Sequence, residues 1–302
     1  MKKILYLLNP KANDEHGLAL WKKAHKQFAQ LPDTPALVTE IVDMTKYIRE
    51  SNPDIVAIAG GDVTINAVSQ AILPLKQKPL LTILPMGTGN ALSYCLGVET
   101  LEKAMFVLQQ QPKQITIDLM QTNVKQYPIG VFNISAGFDA RIVFNRANFR
   151  YIGLPSYILS GIRSVMSHPE KEITFTIDNK VTLQATASSL VVANCPVIGQ
   201  NFVISPRAKL NDGLLDCTLF STKYAYFRNL RLRGFRHPFY SELGKVHFKA
   251  SSLSIHGEPF VQIDGDSVLW KEGIDIRVLP KAVTFLRNID KNIDQYYLPF
   301  VV

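Results

Sequence analysis

The sequence predicts two domains in succession: an α/β domain with a parallel sheet, then a β-rich domain built as an antiparallel sandwich. Over residues 1–117, continuous apolar runs alternate with helical periodicity, the pattern of a parallel sheet covered by helices. From "KQITIDLMQTN" onward the texture becomes mostly period-two alternation, as in strands with one buried face. Each early apolar run also ends in a turn of small or polar residues followed by a helix, and ligands bind at such carboxyl-end turns.

In order, "KILYLLN" (Lys3–Asn9) predicts the first strand and "LALWKKAHKQFAQL" (Leu18–Leu31) a helix. "DIVAIAGG" (Asp54–Gly61) and "PLLTILPMGTGN" (Pro79–Asn90) predict two further strands, each apolar on both faces. "KQITIDLMQTN" (Lys113–Asn123) opens the second domain, with a boundary at 117/118. Alternating strands follow in "EITFTIDNKVTLQATASSLVVANC", "GLLDCTLF", "KVHFKASSLSIHGEPFVQIDG" and "GIDIRVLP" (Gly273–Pro280). Helical signal there is confined to "SYILSGIRSVMSH" (Ser156–His168) and a basic stretch at Lys223–Tyr240. The last ~15 residues, ending "NIDQYYLPFVV", read as a tail that packs back on the first domain.

Composition narrows the function classes. With 47% hydrophobic and 19% charged residues over 302 positions, the chain is that of a folded globular protein, not a disordered one. Its apolar runs fall short of the ~20 residues that cross a bilayer, and the start lacks a cleavage site, so a signal peptide is not expected. Cys95, Cys195 and Cys217 are widely spaced, without a C-x-x-C pair or histidines at ligand spacing. They read as packing or surface positions, with no disulfide scaffold and no zinc site, which fits a reducing cytoplasm. A net charge of +8 points to an anionic partner. Arg228, Arg231, Arg233 and Arg236 in the basic stretch form either a solvated helix face or a contact for an anionic membrane surface, a peripheral association. No nucleic-acid-reading motif accompanies them.

Three loops at successive strand ends are candidate phosphate sites. They are Asn9–Asp14, Gly60–Thr64 and Pro85–Leu92, where Gly87 and Gly89 flank Thr88. None matches G-x-G-x-x-G or G-x-x-x-x-G-K-[ST], so dinucleotide-binding and P-loop folds are disfavoured.

"GGDVTINAV" followed by "LPMGTGNAL" resembles the GGDGT and P-x-GTxN pair of the diacylglycerol kinase catalytic-domain family, which includes sphingosine, ceramide and soluble bacterial lipid kinases. The likeness runs through "LLNPKA", "FNISAGFDARIV", "RYIGLPSYILSGIRSV", "ISPRAKLNDGLLDCTLF" and "VQIDGD", nearly the whole chain. It implies a kinase that passes the γ-phosphoryl group of ATP to a lipid hydroxyl with Mg²⁺, the nucleotide lying between two domains. The implied nucleotide-binding residues are Asn9, Pro10, Gly60, Gly61, Asp62, Val63, Thr64, Asn66, Gly87, Thr88, Gly89 and Asn90. Asp62 is implied as a turn carboxylate near the metal and Asp266 as the catalytic base. Asp212 matches a family metal position, with the backbone oxygens of Lys209 and Leu214 nearby. The expected partners are a lipid substrate at a membrane surface and ATP.

Three positions depart from the family pattern: Val63 for the glycine of GGDGT, Ala67 for the glutamate of N-E-V, and Asp266 for the glutamate of DGE. Lys11-Ala12 also replaces the usual Ser-Gly of the opening loop. A β-branched residue at 63 is strained if its φ is positive; if φ is negative, it costs little and merely narrows the crevice. The departures leave two further expectations open: a family member without transfer activity that binds nucleotide or lipid, and an NAD-kinase-like enzyme.

Overall fold

The computed structural model describes residues 2–288, apart from 33, 39, 110–112, 147–158, 162, 166–168, 199–201, 230 and 233–242. Much of the predicted helix at Ser156–His168, the arginines Arg233 and Arg236, and the terminal tail lie outside the described residues. The chain divides into two compact units: Met1–Ile117 with Lys281–Val302, and Asp118–Pro280.

The first unit is built on β1 (Ile4–Leu8), β2 (Ala36–Leu37), β3 (Ile55–Gly60) and β4 (Leu80–Pro85), in the order β2-β1-β3-β4 and all parallel. β3 is buried at every position, which is why its sequence is apolar without alternation. Helices α1 (Ala12–Glu15), α2 (Gly17–Gln27), α3 (Ile41–Ser51), α4 (Asp62–Ile72), α5 (Ala91–Cys95) and α6 (Leu101–Gln109) connect them. α2 buries Trp21 and Ala24, whose spacing of three puts both on one face. α3 ends where Asn52 turns left-handed at φ 41°, a conformation asparagine tolerates.

The second unit is an antiparallel sandwich. β5 (Lys113–Thr122) leads into it, followed by β6 (Ile129–Gly130), β7 (Asn133–Gly137) and α7 (Phe138–Arg146). Next come β8 (Lys171–Ile177), β9 (Val181–Ala187), β10 (Ser189–Ala193), β11 (Val197–Ile198), β12 (Phe202–Val203) and β13 (Leu215–Phe220). Then follow α8 (Lys223–Asn229), β14 (Arg231–Leu232), β15 (Lys245–Ala250), β16 (Ser252–His256), β17 (Phe260–Ile263), β18 (Asp266–Leu269) and β19 (Ile274–Arg287). One sheet runs β15-β13-β10-β7-β17-β18, and a second pairs β19, β16, β8 and β9. Met120, Ile134, Leu190, Val192, Phe175, Leu253 and Ile276 meet between them as the core. The other face of the first sheet is also covered: Val191 and Phe220 pack with Phe138 of α7 and Tyr226 of α8. Leu190 and Val192 thus point one way and Val191 the other, the period of two expected of a strand.

Two details depart from the sequence expectation. The strand expected to stop at Pro280 continues to Arg287, with Lys281 at φ 50° where the chain passes into the first unit. There Phe285 pairs in parallel with Leu81 of β4, and the Ala282 carbonyl accepts from Lys78 Nζ at 2.9 Å. The cysteines are the other departure: Cys217 is a buried free thiol, but Cys95 and Cys195 are oxidised, which corrects the expectation of three packing thiols. Among the described residues no helix is long and apolar enough to cross a membrane.

Candidate functional site

Parallel strands place the ends of β1, β3 and β4 side by side, so the three sequence-predicted loops of the first unit meet. The Asn9 side-chain amide donates to Thr64 Oγ1 at 3.0 Å, joining the first loop to α4. Thr88 Oγ1 donates to Asn13 Oδ1 at 3.4 Å, joining the third loop to the first. Asn13 was missed at the level of sequence, although it lies inside the first predicted loop.

The second and third loops touch through glycines. A Cβ on Gly87 would stand 2.3 Å from Gly61 Cα, and one on Gly61 would stand 2.9 Å from Gly87 Cα. Both positions must lack a side chain for the two backbones to approach. A Cβ on Gly60 would meet the Thr64 side chain at 2.5 Å. Asn90, left-handed at φ 51°, closes the third loop on itself. Its Oδ1 accepts the Gly87 N–H at 3.0 Å and its Nδ2 donates to the Gly87 carbonyl at 2.7 Å. Asn66 Oδ1 accepts from Gln70 Nε2 at 2.6 Å, one turn further along α4.

The Asp62 carboxylate faces the first turn of α5. It accepts the Ala91 N–H at 3.1 Å and the Leu92 N–H at 3.5 Å, and so satisfies donors that a helix start leaves open. Burial pushes its pKa up to about 6, against the opposing pull of the Ala91, Leu92 and Asn90 amides. Folded Asp62 therefore holds its proton more tightly than the unfolded chain does. Its contribution is complete below the ordinary value of 3.8 and is lost as pH rises through about 6. The stability difference between wild type and Asp62→Asn should shift against wild type across that window, read from urea midpoints at several pH values. A difference that stays constant with pH would show that the carboxyl is not perturbed by folding.

Val63 is the second residue of α4, 49% exposed, and is not among the residues with positive φ. The β-branched side chain therefore carries no left-handed strain, which leaves the low-cost alternative. Ala67 lies in the same helix, partly buried.

Asp266 and the 209–214 loop belong to the second unit. Asp266 begins β18 and pairs with Ile263 across a two-residue turn, Asp264-Gly265, with φ of 51° and 91°. Two central residues with positive φ are what a tight hairpin requires, and Asp-Gly supplies them. The Asp264 carboxylate, buried, accepts three backbone N–H groups: Val131 at 2.6 Å, Phe132 at 3.0 Å and Asn133 at 3.1 Å. Gln262 Oε1 accepts the Gly265 N–H at 2.9 Å, while its Nε2 donates to Asn133 Oδ1 at 2.5 Å and Asp139 Oδ2 at 3.4 Å.

Asp139 is the buried centre of a network that sequence reasoning did not single out. Ser135 Oγ donates to its Oδ2 at 2.5 Å, and the Tyr226 hydroxyl donates to its Oδ1. Burial raises the Asp139 pKa despite these donors, and burial with the Asp139 charge raises that of Tyr226 well above the usual phenol value. Gly137 makes the geometry possible. Its φ of 109° turns β7 directly into α7, and a Cβ there would lie 2.3 Å from the Ser188 carbonyl. The signal was present in "GFDA": an acid in the first turn of a helix that follows a strand without a loop.

In the 209–214 loop, Asp212 Oδ1 accepts the Leu214 N–H at 3.2 Å. Its Oδ2 lies 2.7 Å from Lys249 Nζ, which also sits 3.3 Å from Asp216 Oδ2. Asp216 is fully buried, with His247 Nε2 3.3 Å from its other oxygen. Desolvation lowers the Lys249 pKa, but Asp212 and Asp216 outweigh it and the net shift is upward. Both oxygens of Asp212 are thus engaged by the protein itself. Among the described residues no group of three or more His, Cys, Asp or Glu side chains could hold a metal ion. The misfit with a divalent cation at Lys209, Asp212 and Leu214 therefore rests on Asp212, whose Oδ2 is held by the Lys249 ammonium and whose Oδ1 is held by the Leu214 N–H.

Residues 3–122 match the diacylglycerol kinase catalytic domain, and residues 132–287 match the YegS C-terminal NAD kinase beta sandwich-like domain. The chain belongs to the diacylglycerol kinase catalytic-domain family. Within that family it is 26% identical over 244 residues to a diacylglycerol kinase of Bacillus subtilis, covering 76% of this chain and 78% of that one. A protein of Shewanella frigidimarina named as a probable YegS-like lipid kinase is 24% identical over 258 residues, 82% of each chain. A crystal structure of a diacylglycerol kinase from Bacillus anthracis shares the fold, with a TM-score of 0.68 and 23% identity over 95% of this chain and 97% of that one.

Proposed function

We propose that this member of the lipid kinase family transfers the γ-phosphoryl group of ATP to the hydroxyl of a lipid, diacylglycerol or a related class. The observation that carries the proposal is the convergence of the Asn9, Gly60–Thr64 and Gly87–Asn90 loops at the carboxyl ends of parallel strands. Phosphoryl transfer demands phosphate positioning above all, and this loop cluster presents the donor types that hold phosphates. Asn9, Asn13, Thr64 and Thr88 supply side-chain amides and hydroxyls, and the exposed Lys11 supplies positive charge. Gly61 and Gly87 remove the side chains that would hold the backbone away.

ATP would supply the electrophilic phosphorus and Mg²⁺ would screen its charge; Asp62, whose two oxygens already accept the Ala91 and Leu92 N–H groups, would meet that ion through water. Asp266 is the assigned base. It accepts the proton of the lipid hydroxyl as the new O–P bond forms and the bond from the γ-phosphorus to the β-phosphate bridging oxygen breaks. The chain's work is to hold the phosphates, orient the hydroxyl and take one proton. An excess of positive charge, +8, favours a peripheral contact with an anionic membrane surface, where a lipid substrate is met.

The test separates binding from chemistry. Asp266→Asn should lower phosphate transfer at least ~100-fold, the scale of a lost general base, with ATP affinity unchanged. Equal transfer rates in Asp266→Asn and wild type would remove Asp266 from the mechanism.

A further inference from the structure

The family resemblance implies a divalent metal at Asp212 with the backbone oxygens of Lys209 and Leu214, and the structure places an ammonium group on the Asp212 carboxylate. We propose that Lys249 is a tethered cation that does the work of that metal, so that the 209–214 loop is held in shape without a bound ion.

β13 and β15 pair antiparallel with Asp216 directly opposite Lys249, so both side chains emerge on the same face of the sheet. Asp212 lies in the loop just before β13, which brings it to the same point. The result is one ammonium between two carboxylates, at 2.7 Å from Asp212 and 3.3 Å from Asp216. Asp216 has no exposed surface, and an uncompensated carboxylate buried to that degree is strongly destabilising. A compensating partner is therefore required at this point: Lys249 supplies a permanent charge at Oδ2, and His247 Nε2 lies 3.3 Å from Oδ1.

The loop is closed by other protein groups as well. Asp118 donates its N–H to the Leu210 carbonyl at 2.7 Å, and its carboxylate accepts the Gly213 N–H at 2.7 Å. Gly213 adopts φ 74°, which lets its amide turn toward Asp118. Together with the Asp212–Leu214 turn, these bonds fix both ends of the loop from within. A metal ion would have to displace the Lys249 ammonium from Asp212 to enter, and would find the carboxylate already neutralised.

The inference does not depend on the kinase proposal, and its test uses neither nucleotide nor lipid. Mn²⁺ is titrated into the full chain, in place of Mg²⁺, with binding read by electron paramagnetic resonance. Wild type and Asp212→Asn should give the same titration, because Asp212 is not a metal ligand while Lys249 is present. Lys249→Met should gain a Mn²⁺ site that Asp212→Asn in the same background removes, and its melting temperature should rise with added Mg²⁺ while that of wild type does not. A wild-type Mn²⁺ site that Asp212→Asn abolishes overturns the proposal, as does a folded Lys249→Met variant that gains no site. If Lys249→Met does not fold, the wild-type and Asp212→Asn titrations decide alone.

Discussion

Replacing Asp264 by alanine is expected to cost at least ~3 kcal/mol of stability, because three buried backbone N–H groups lose their acceptor at once. Each amide left unsatisfied carries a penalty of about 1–3 kcal/mol, and no water replaces a carboxylate that is 3% exposed. Alanine at φ 51° adds a left-handed cost of ~1 kcal/mol or more, which aspartate tolerates better. Asp264→Asn keeps that tolerance and one acceptor oxygen, so its loss should fall between alanine and wild type. Urea unfolding measures both, read as a shift in midpoint. A loss under ~0.5 kcal/mol for alanine would mean that the three bonds do not hold the hairpin. The consequence reaches the assigned base, because Asp266 is carried by that hairpin.

Gly87→Ala is expected to act on the phosphate loops. The new methyl group would lie 2.3 Å from Gly61 Cα and 3.0 Å from Gly61 N, both backbone atoms that cannot rotate aside. The second and third loops must then separate. Overpacking of this kind costs about 1–3 kcal/mol of stability, and a displacement of ~1 Å at a reacting group costs ~100-fold in rate. ATP affinity should fall at least ~10-fold, measured by calorimetry, since that is a loss of only ~1.4 kcal/mol of binding. Gly161→Ala is the control: a Cβ there meets nothing within 4 Å, and binding should be unchanged. Unaltered ATP affinity in Gly87→Ala would show that the close approach of these glycines is not used for nucleotide.

The first unit's architecture was legible because its strands are buried on both faces and its loops recur at their ends. β3 and β4 lie in register from Ile55 opposite Leu80 to Gly60 opposite Pro85, which carries the two glycine turns to the same edge. Asp62 was legible as a turn carboxylate but not as the acceptor for α5, since that contact depends on how α5 enters after the left-handed Asn90. Val63 could not be judged from sequence, because its cost turned on one dihedral angle. The Asp139 network was hidden for another reason. Tyr226 and Gln262 reach Asp139 from far along the chain, and only sheet pairing and α8 packing bring them there. Lys249 reads in the sequence as an ordinary polar residue of an alternating strand. Its role follows from the register of β13 against β15, which alternation alone does not specify.

The claim that organises these residues is phosphate transfer from ATP to a lipid hydroxyl. It is tested by incubating the full chain with ATP labelled at the γ-phosphate, Mg²⁺, and mixed vesicles presenting diacylglycerol, ceramide, a sphingoid base or phosphatidylglycerol in turn. The account predicts label in the lipid fraction for at least one of these classes, lost in Asp266→Asn. No labelled lipid with any class, together with no ATP binding by calorimetry, would contradict it.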